Sequence, residues 1–441
     1  MSRNVEYDAI HNIGEVVKSN LCTGCGTCVA MCPFNAIELR RNNDGCYEPH
    51  IKNENCKSCG SCFRVCPGKG IDYEVLNEFV FSQNATDELL GDSLGFYLGR
   101  SMDKNILKAA ASGGLVSSLL EFALEENIVD GALLVRMSSH NPFEPEIFIA
   151  RTREEILSAA QSKYVPVPLN SKLKEIVETD GKFAVVGLPC HMHGIRKAEM
   201  MNEKLRNKIK LHLGLMCSHT LNVYALEFIL KKFSIKPENV KEIKFKEGEW
   251  PGRITIKLYR GKDVTVPKSY YFLFFNTYLF TPCRCTQCSD FTNEFSDISF
   301  GDAWSEKDKT NRRGESLIVT KTSVGEEILQ KAKTKGIIEI VEVDREEVLK
   351  AQRVGLFFKK KTIGQRITIL KWLNFKTIHT NLPKFNSGIF GYFISILILS
   401  AAYLSSRTVF RKILYYLFPL IEKFHIIGSK LFRKWVDVRG E

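Results

Sequence analysis

CTGCGTCVAMCP, residues 22–33, returns as CKSCGSCFRVCP at residues 56–67, and this repeat decides how the start of the chain folds. Each copy spaces four cysteines as C-x2-C-x2-C-x3-C and closes on a proline. Thiols clustered this closely, four to a run, point to ligation of a shared group rather than to structural disulfides. Three closely spaced thiolates wrap one face of an iron–sulfur cube, while the fourth points away and holds the other cube. That assigns Cys22, Cys25, Cys28 and Cys66 to one cluster and Cys56, Cys59, Cys62 and Cys32 to a second. Gly24, Gly26 and Gly60 suit backbone passing close to the sulfides, and each proline ends its loop. The alternative, a pair of zinc sites, normally uses two C-x-x-C pairs rather than a triplet followed by C-P.

The double run is that of bacterial 2[4Fe-4S] ferredoxins, so residues 1–80 are expected to form a ferredoxin-type domain that moves single electrons. Cys46 fits neither copy and reads as a plain buried or surface cysteine. The N-terminal stretch MSRNVEYDAIHNIGEVV has no apolar signal region, which with the clustered thiols suggests a reducing cytoplasm. The net charge of +12 resembles a nucleic-acid signal until it is located. From Lys359 onward there are fifteen Lys/Arg and three acidic residues, and the preceding 358 residues are neutral. The surplus lies in the most apolar part of the chain, which argues for an anionic membrane surface and against nucleic acid.

From about Phe96 the pattern alternates between strand-like and helix-like segments, an α+β or α/β core. KFAVVGLPC and KIKLHLGLMC are short β-rich runs that end at Cys190 and Cys217, at the carboxyl ends of strands where open α/β sheets hold ligands. EIKFKEGEW and RITIKLYRGKDVTVP alternate in period two and read as antiparallel strands, and DISFGDAW as one more. In CRCTQC, residues 283–288, three further cysteines fall within six residues. With Cys190 and Cys217 they make five candidates for a third cubane; the same spacings also admit a two-iron centre, zinc or unligated redox thiols.

SGGL (112–115), QSKYV (161–165), VVGLPC (185–190), GLMC (214–217) and CTQCSDFTNEFSDISFGDAW (285–304) together resemble the family of coenzyme F420 hydrogenase/dehydrogenase beta subunits. (Here F420 names a deazaflavin cofactor, not a residue.) The resemblance runs from about residue 20 to 345 and implies a family N-terminal region at 85–168 and a C-terminal region at 169–345. It implies FAD, a third [4Fe-4S] cluster held by Cys190, Cys217, Cys285 and Cys288, and coenzyme F420 as substrate. Cys283 is then the odd thiol out. Ser112, Gly113 and Gly114 are expected to open a helix toward the FAD, or else simply to pack on the sheet. Lys163 is expected to place a cation near the flavin, or else to be a solvated surface residue. Asp297 and Asp302 read as cluster-adjacent or as strand-end caps. Where the family has Gln after its Pro-Cys pair this chain has His191, with His193 beyond it, and a hydrogen-bonding role is expected for both rather than metal ligation.

Hydride transfer needs no general acid or base, so no catalytic residue is singled out. The expected activity is an F420-dependent oxidoreductase working with a redox partner subunit or a ferredoxin. The alternatives are a ferredoxin-dependent reductase of a lipophilic unsaturated substrate and an electron-transfer adaptor with no substrate of its own. Residues 346–384 read as a basic linker, and residues 385–441 as a membrane-associating helical tail. FNSGIFGYFISILILSAAYLSS (385–406) carries no charge and is flanked by basic residues. A second apolar run is broken by Pro419 and by Glu422-Lys423, which favours a monotopic or hairpin attachment at the cytoplasmic leaflet over a single span.

Overall fold

The computed structural model describes residues 11–83, 85–304, 314–380, 385 and 387–438. In the first segment β1 (Ile37–Arg41) and β2 (Tyr47–Ile51) pair as an antiparallel hairpin between the two cysteine runs. Each run continues into one helical turn, Thr27–Ala30 and Ser61–Arg64, preceded by a left-handed glycine, Gly26 and Gly60. A core of Ile13, Val16, Leu21, Ala36 and Ile37 closes over the thiols of Cys28, Cys32 and Cys66.

The remaining strands are β3 (Gly95–Ser101), β4 (Gly131–Met137), β5 (Pro145–Ala150), β6 (Phe183–Gly187), β7 (Ile209–Leu215), β8 (Val240–Glu247), β9 (Arg253–Leu258), β10 (Val264–Val266), β11 (Ile298–Asp302), β12 (Ser316–Thr320) and β13 (Ile338–Glu342). Eight of them form one mixed sheet in the order β13-β3-β12-β11-β7-β6-β4-β5. Its centre, β4, β6, β7 and β11, is parallel, and the flanking pairs are antiparallel. Both central faces are covered, so Ala184 and Val185 in β6 and the alternate residues Leu211 and Leu213 in β7 are fully buried. The expected antiparallel strands β8, β9 and β10 make a separate three-stranded sheet on an aromatic core of Phe228, Phe274 and Phe280.

Two sequence expectations change here. Residues 346–384, read as a basic linker, carry the helix Arg345–Leu356, a π-helical turn Phe357–Lys361 and the helix Ile363–Trp372. Phe357, Phe358, Ile363 and Ile367 are buried, and burying that apolar surface holds the segment down. The charge surplus counted from Lys359 therefore includes Lys359, Lys360 and Arg366, all buried in the body of the protein.

The tail forms two helices, Gly388–Ser405 and Thr408–Val438. The first turns a stripe of small residues, Gly391, Ser395, Ala402 and Ser405, together with Ile398, toward the body. Ser405 Oγ accepts the Phe280 amide at 2.7 Å. Leu414 and Phe418 of the second helix are fully buried in the aromatic core. The opposite faces are apolar and exposed, Ile389 at 90% and Tyr416 at 80%. Gly388–Ser405 is long and apolar enough to cross a membrane by length and composition.

Candidate functional site

The carboxyl ends of β6 and β7 set the site. After Gly187 the chain enters the helix Pro189–Met201, whose proline suits the first turn and places Cys190 beside it. Two residues beyond β7 comes Cys217, whose amide donates to the Phe291 carbonyl at 2.9 Å. Asn293 bridges the two strand ends, its side-chain amide donating to Gly187 O at 2.8 Å and Leu215 O at 3.2 Å. That clamp brings the Cys288–Phe295 segment across the sheet edge. The Cys283–Gln287 turn before it is held from several sides. Arg284 donates to Pro67 O and Gly68 O, Arg366 donates to Thr286 O at 2.6 Å, and Gln287 Oε1 accepts the Ile378 amide.

Cys190, Cys217, Cys285 and Cys288 consequently line one cavity, with about 960 Å³ of empty space including its mouth and mostly apolar walls. Cys283 is not on its wall, but Cys46, from the β1–β2 turn, is. The plain reading of Cys46 thus missed its location, since nothing local in the hairpin sequence signals which cavity the turn reaches. Among the described residues no three His, Cys, Asp or Glu side chains converge on a single-ion site. The four thiols surround a space instead, as the donor set of a cubane would.

Burial pushes Cys190 and Cys285 up and Cys217 to about 12, so as free thiols all three hold their protons. Metal binding would expel those protons. Lys359, 2% exposed, also lines the cavity. Burial alone would lower its pKa, but the Cys288, Cys217 and Cys285 sulfurs outweigh that and raise it.

A smaller cavity of about 280 Å³ is lined by Cys22, Cys25, Cys28 and Cys66, the set assigned to the first ferredoxin cluster. Backbone amides reach these sulfurs: Gly24 N lies 3.4 Å from Cys22 Sγ and Gly68 N lies 3.2 Å from Cys66 Sγ. The two cavities share Cys22, Thr23, Gly24 and Pro67 as a common wall. The junction is tight. Asn170 donates its backbone amide to Cys25 O at 2.9 Å and its side-chain amide to Thr27 Oγ1 at 2.8 Å. A Cβ on Gly26 would fall 2.7 Å from Ser171 N and 2.9 Å from Pro168 O, so this glycine permits close approach of the core backbone. The second set opens outward, with Cys59 exposed.

His191 and His193 also line the large cavity, and the other candidates sit elsewhere. His191 Nδ1 accepts the Leu188 amide and Nε2 meets Val167 O at 2.9 Å, which occupies both nitrogens in positioning the helix start. His193 faces Asp290 at 2.8 Å and lines the large cavity. Ser112 Oγ donates to Glu315 O at 2.8 Å, and a Cβ on Gly113 would meet Gly99 O at 2.4 Å. Gly114, left-handed, caps the helix Leu115–Glu125, and the three residues pack against β3 and β12, which pair in the interior of the sheet. Lys163 is buried with its ammonium on the carbonyls of Ala159, Ala160 and Gln161, and burial pushes it down to about 7. Asp302 pairs with Lys246 at 2.6 Å. Asp297 joins a buried network in which His212 Nε2 meets Glu199 at 2.7 Å and Nδ1 meets Asp297 at 3.1 Å, with Arg196 beside both carboxylates.

Comparison with known proteins follows the same division of the chain. Residues 21–70 match a 4Fe-4S dicluster domain. Residues 96–174 and 180–346 match the N-terminal and C-terminal parts of the coenzyme F420 hydrogenase/dehydrogenase beta subunit. The chain is 31% identical over 287 residues to coenzyme F420 hydrogenase subunit beta of Methanosarcina barkeri, covering 64% of this chain and 91% of that one. It is 26% identical over 298 residues to a component of the F(420)H(2) dehydrogenase of Methanosarcina mazei, covering 66% and 77%. Among solved structures, a chain of the F420-reducing [NiFe] hydrogenase complex from Methanosarcina barkeri superposes with a TM-score of 0.51 at 28% identity, over 64% of this chain and 95% of that one.

Proposed function

Because the chain belongs to the family of coenzyme F420 hydrogenase/dehydrogenase beta subunits and carries a 4Fe-4S dicluster domain, we propose that it is an oxidoreductase passing electrons between coenzyme F420 and a redox partner. In this reading Cys190, Cys217, Cys285 and Cys288 hold a third [4Fe-4S] cluster beside the first ferredoxin cluster. FAD and the clusters supply the conversion between a two-electron hydride and single electrons. The observation that carries the reading is the shared wall: the four core thiols line a cavity that meets the Cys22–Gly24 turn directly. The protein's part is positional. Asn170, Lys197 and Arg284 fasten the ferredoxin module to the core, so no domain movement is needed to bring the two sites together. The exposed Cys59 loop gives the partner its approach. The flavin roles of Ser112, Gly113, Gly114 and Lys163 rest on the family resemblance alone.

The test is an anaerobic titration of the purified protein with reduced F420, with iron and flavin counted. Bleaching of the flavin and cluster absorbance supports the reading. Cys285→Ala should lose about one cubane of iron, roughly four atoms, while its flavin stays reducible; Cys283→Ala should keep all of its iron. Full iron in Cys285→Ala would remove the third cluster from the reading.

A second reading, a ferredoxin-dependent reductase of a lipophilic substrate, is favoured by the apolar walls of the large cavity and by the tail helix seated against Phe280. Reduction by ferredoxin without any response to F420 would select it. In both readings the exposed apolar faces of the tail helices, bordered by Arg407, Arg411 and Lys412, lie on an anionic membrane surface on the cytoplasmic side.

A further inference from the structure

The run FFKKK, residues 357–361, has the sequence of a solvated basic patch, yet it folds as a π-helical turn with its first four residues buried. A π turn holds an extra residue per turn and recurs at functional sites. Here it separates consecutive lysines. Lys360 turns to Glu294 at 2.6 Å, while Lys359 enters the large cavity beside the Cys217, Cys285 and Cys288 sulfurs. The neighbouring Arg366 is spent on the carbonyls of Thr286 and Phe358 and on the Thr362 hydroxyl. Among the described residues no carboxylate pairs with Lys359. Its hydrogen-bond partner is the Cys288 sulfur, and an ammonium buried beside thiols with no carboxylate is costly, so its placement suits an anionic group in the cavity. The turn lies beyond residue 346, where the family match ends, so the charge comes from a segment outside the matched region.

We propose that Lys359 is the fixed counter-charge of the third cluster site and sets its electron affinity. Four thiolates around a cube make an anionic centre, and reduction adds one more negative charge in a dry surrounding. A cation fixed in the same cavity as the four sulfurs, and hydrogen-bonded to one of them, stabilises the reduced state more than the oxidised one and raises the reduction potential. Lys359 is in this sense a positioning residue for charge, with no bond to make or break. The proposal rests on the third-cluster reading above.

The test is an EPR-monitored redox titration of the full-length holoprotein, with iron counted. The third site's signal is the one that Cys285→Ala removes. Lys359→Met should keep the iron and lower that site's midpoint potential, about tenfold in the one-electron equilibrium or about 59 mV. Lys359→Arg should restore it. The ferredoxin signals should not move in either variant. An unchanged third-site potential in Lys359→Met at full iron overturns the proposal. Should the Met variant lose the third site's iron, retention in the Arg variant supports the role of charge, and loss in both variants overturns it by assigning the residue to packing. Wild-type protein with iron for only two clusters would instead sink the third-cluster reading, a separate outcome.

Discussion

His212 shows how individual charges hold the core together. Burial and Arg196 push its pKa down, but the carboxylates of Glu199 and Asp297, one on each ring nitrogen, win and raise it. A carboxylate at each ring nitrogen favours the doubly protonated ring. Its contribution to stability is therefore fully present below the unfolded pKa of about 6.5 and is lost as pH rises through the higher folded value. Thermal melts of the wild type and of His212→Gln should converge as pH rises from 6 toward 9. At pH 6 the variant should be less stable by about 3 kcal/mol, because two buried carboxylates lose a charged partner. Equal slopes in the two proteins would mean that His212 does not titrate in this window. Gly26 makes a second case: its φ is 85°, and an added Cβ would fall 2.7 Å from Ser171 N, so there is no room for a methyl group. Gly26→Ala should cost about 1–3 kcal/mol and lower the melting temperature, through left-handed strain and overpacking at the module junction.

At the scale of elements, the tail helices have two faces with different work. Phe418, fully buried and tilted against Phe228 and Tyr270 with ring centroids 4.9 Å and 4.8 Å away, anchors the second helix in the aromatic core. Phe418→Ala should destabilise the protein by about 3–5 kcal/mol in a denaturant melt. Phe393 and Leu397, 56% and 50% exposed, point away from the body. Replacing both with Glu should leave the melt within about 0.5 kcal/mol of the wild type. The same double variant should lose most co-sedimentation with vesicles rich in phosphatidylserine. Unchanged sedimentation would assign that face to a protein partner.

At the scale of the molecule, the ferredoxin module, the sheet edge and the segment after residue 346 form one continuous body around two adjoining cavities. The Cys283–Gln287 turn is where they meet: Arg284 reaches the module and Arg366 reaches back from the later helix. A variant that loosens either arginine should disturb iron retention at the core site before it disturbs the second ferredoxin set, whose cysteines line neither of the two cavities. Iron release into a chelator, followed in Arg366→Met, checks this. Simultaneous loss from all sites would mean that the turn does not hold the core site separately.

The amino-acid sequence by itself determined what depends on neighbours along the chain. The eight cysteines of residues 22–66 declare their ligation through spacing, and β6, β7, β8 and β9 declare themselves through period and composition. It also carried the family motifs that single out Cys285 and Cys288 over Cys283. Only the tertiary structure decided what lies across from what. It brought Cys46 from a hairpin turn to the core cavity, drew Lys359 inward from a run that reads as surface, and turned an apparent linker into buried helices. The physical reason is that burial and charge pairing are set by long-range contacts, which lend a residue a partner its own stretch of sequence does not contain.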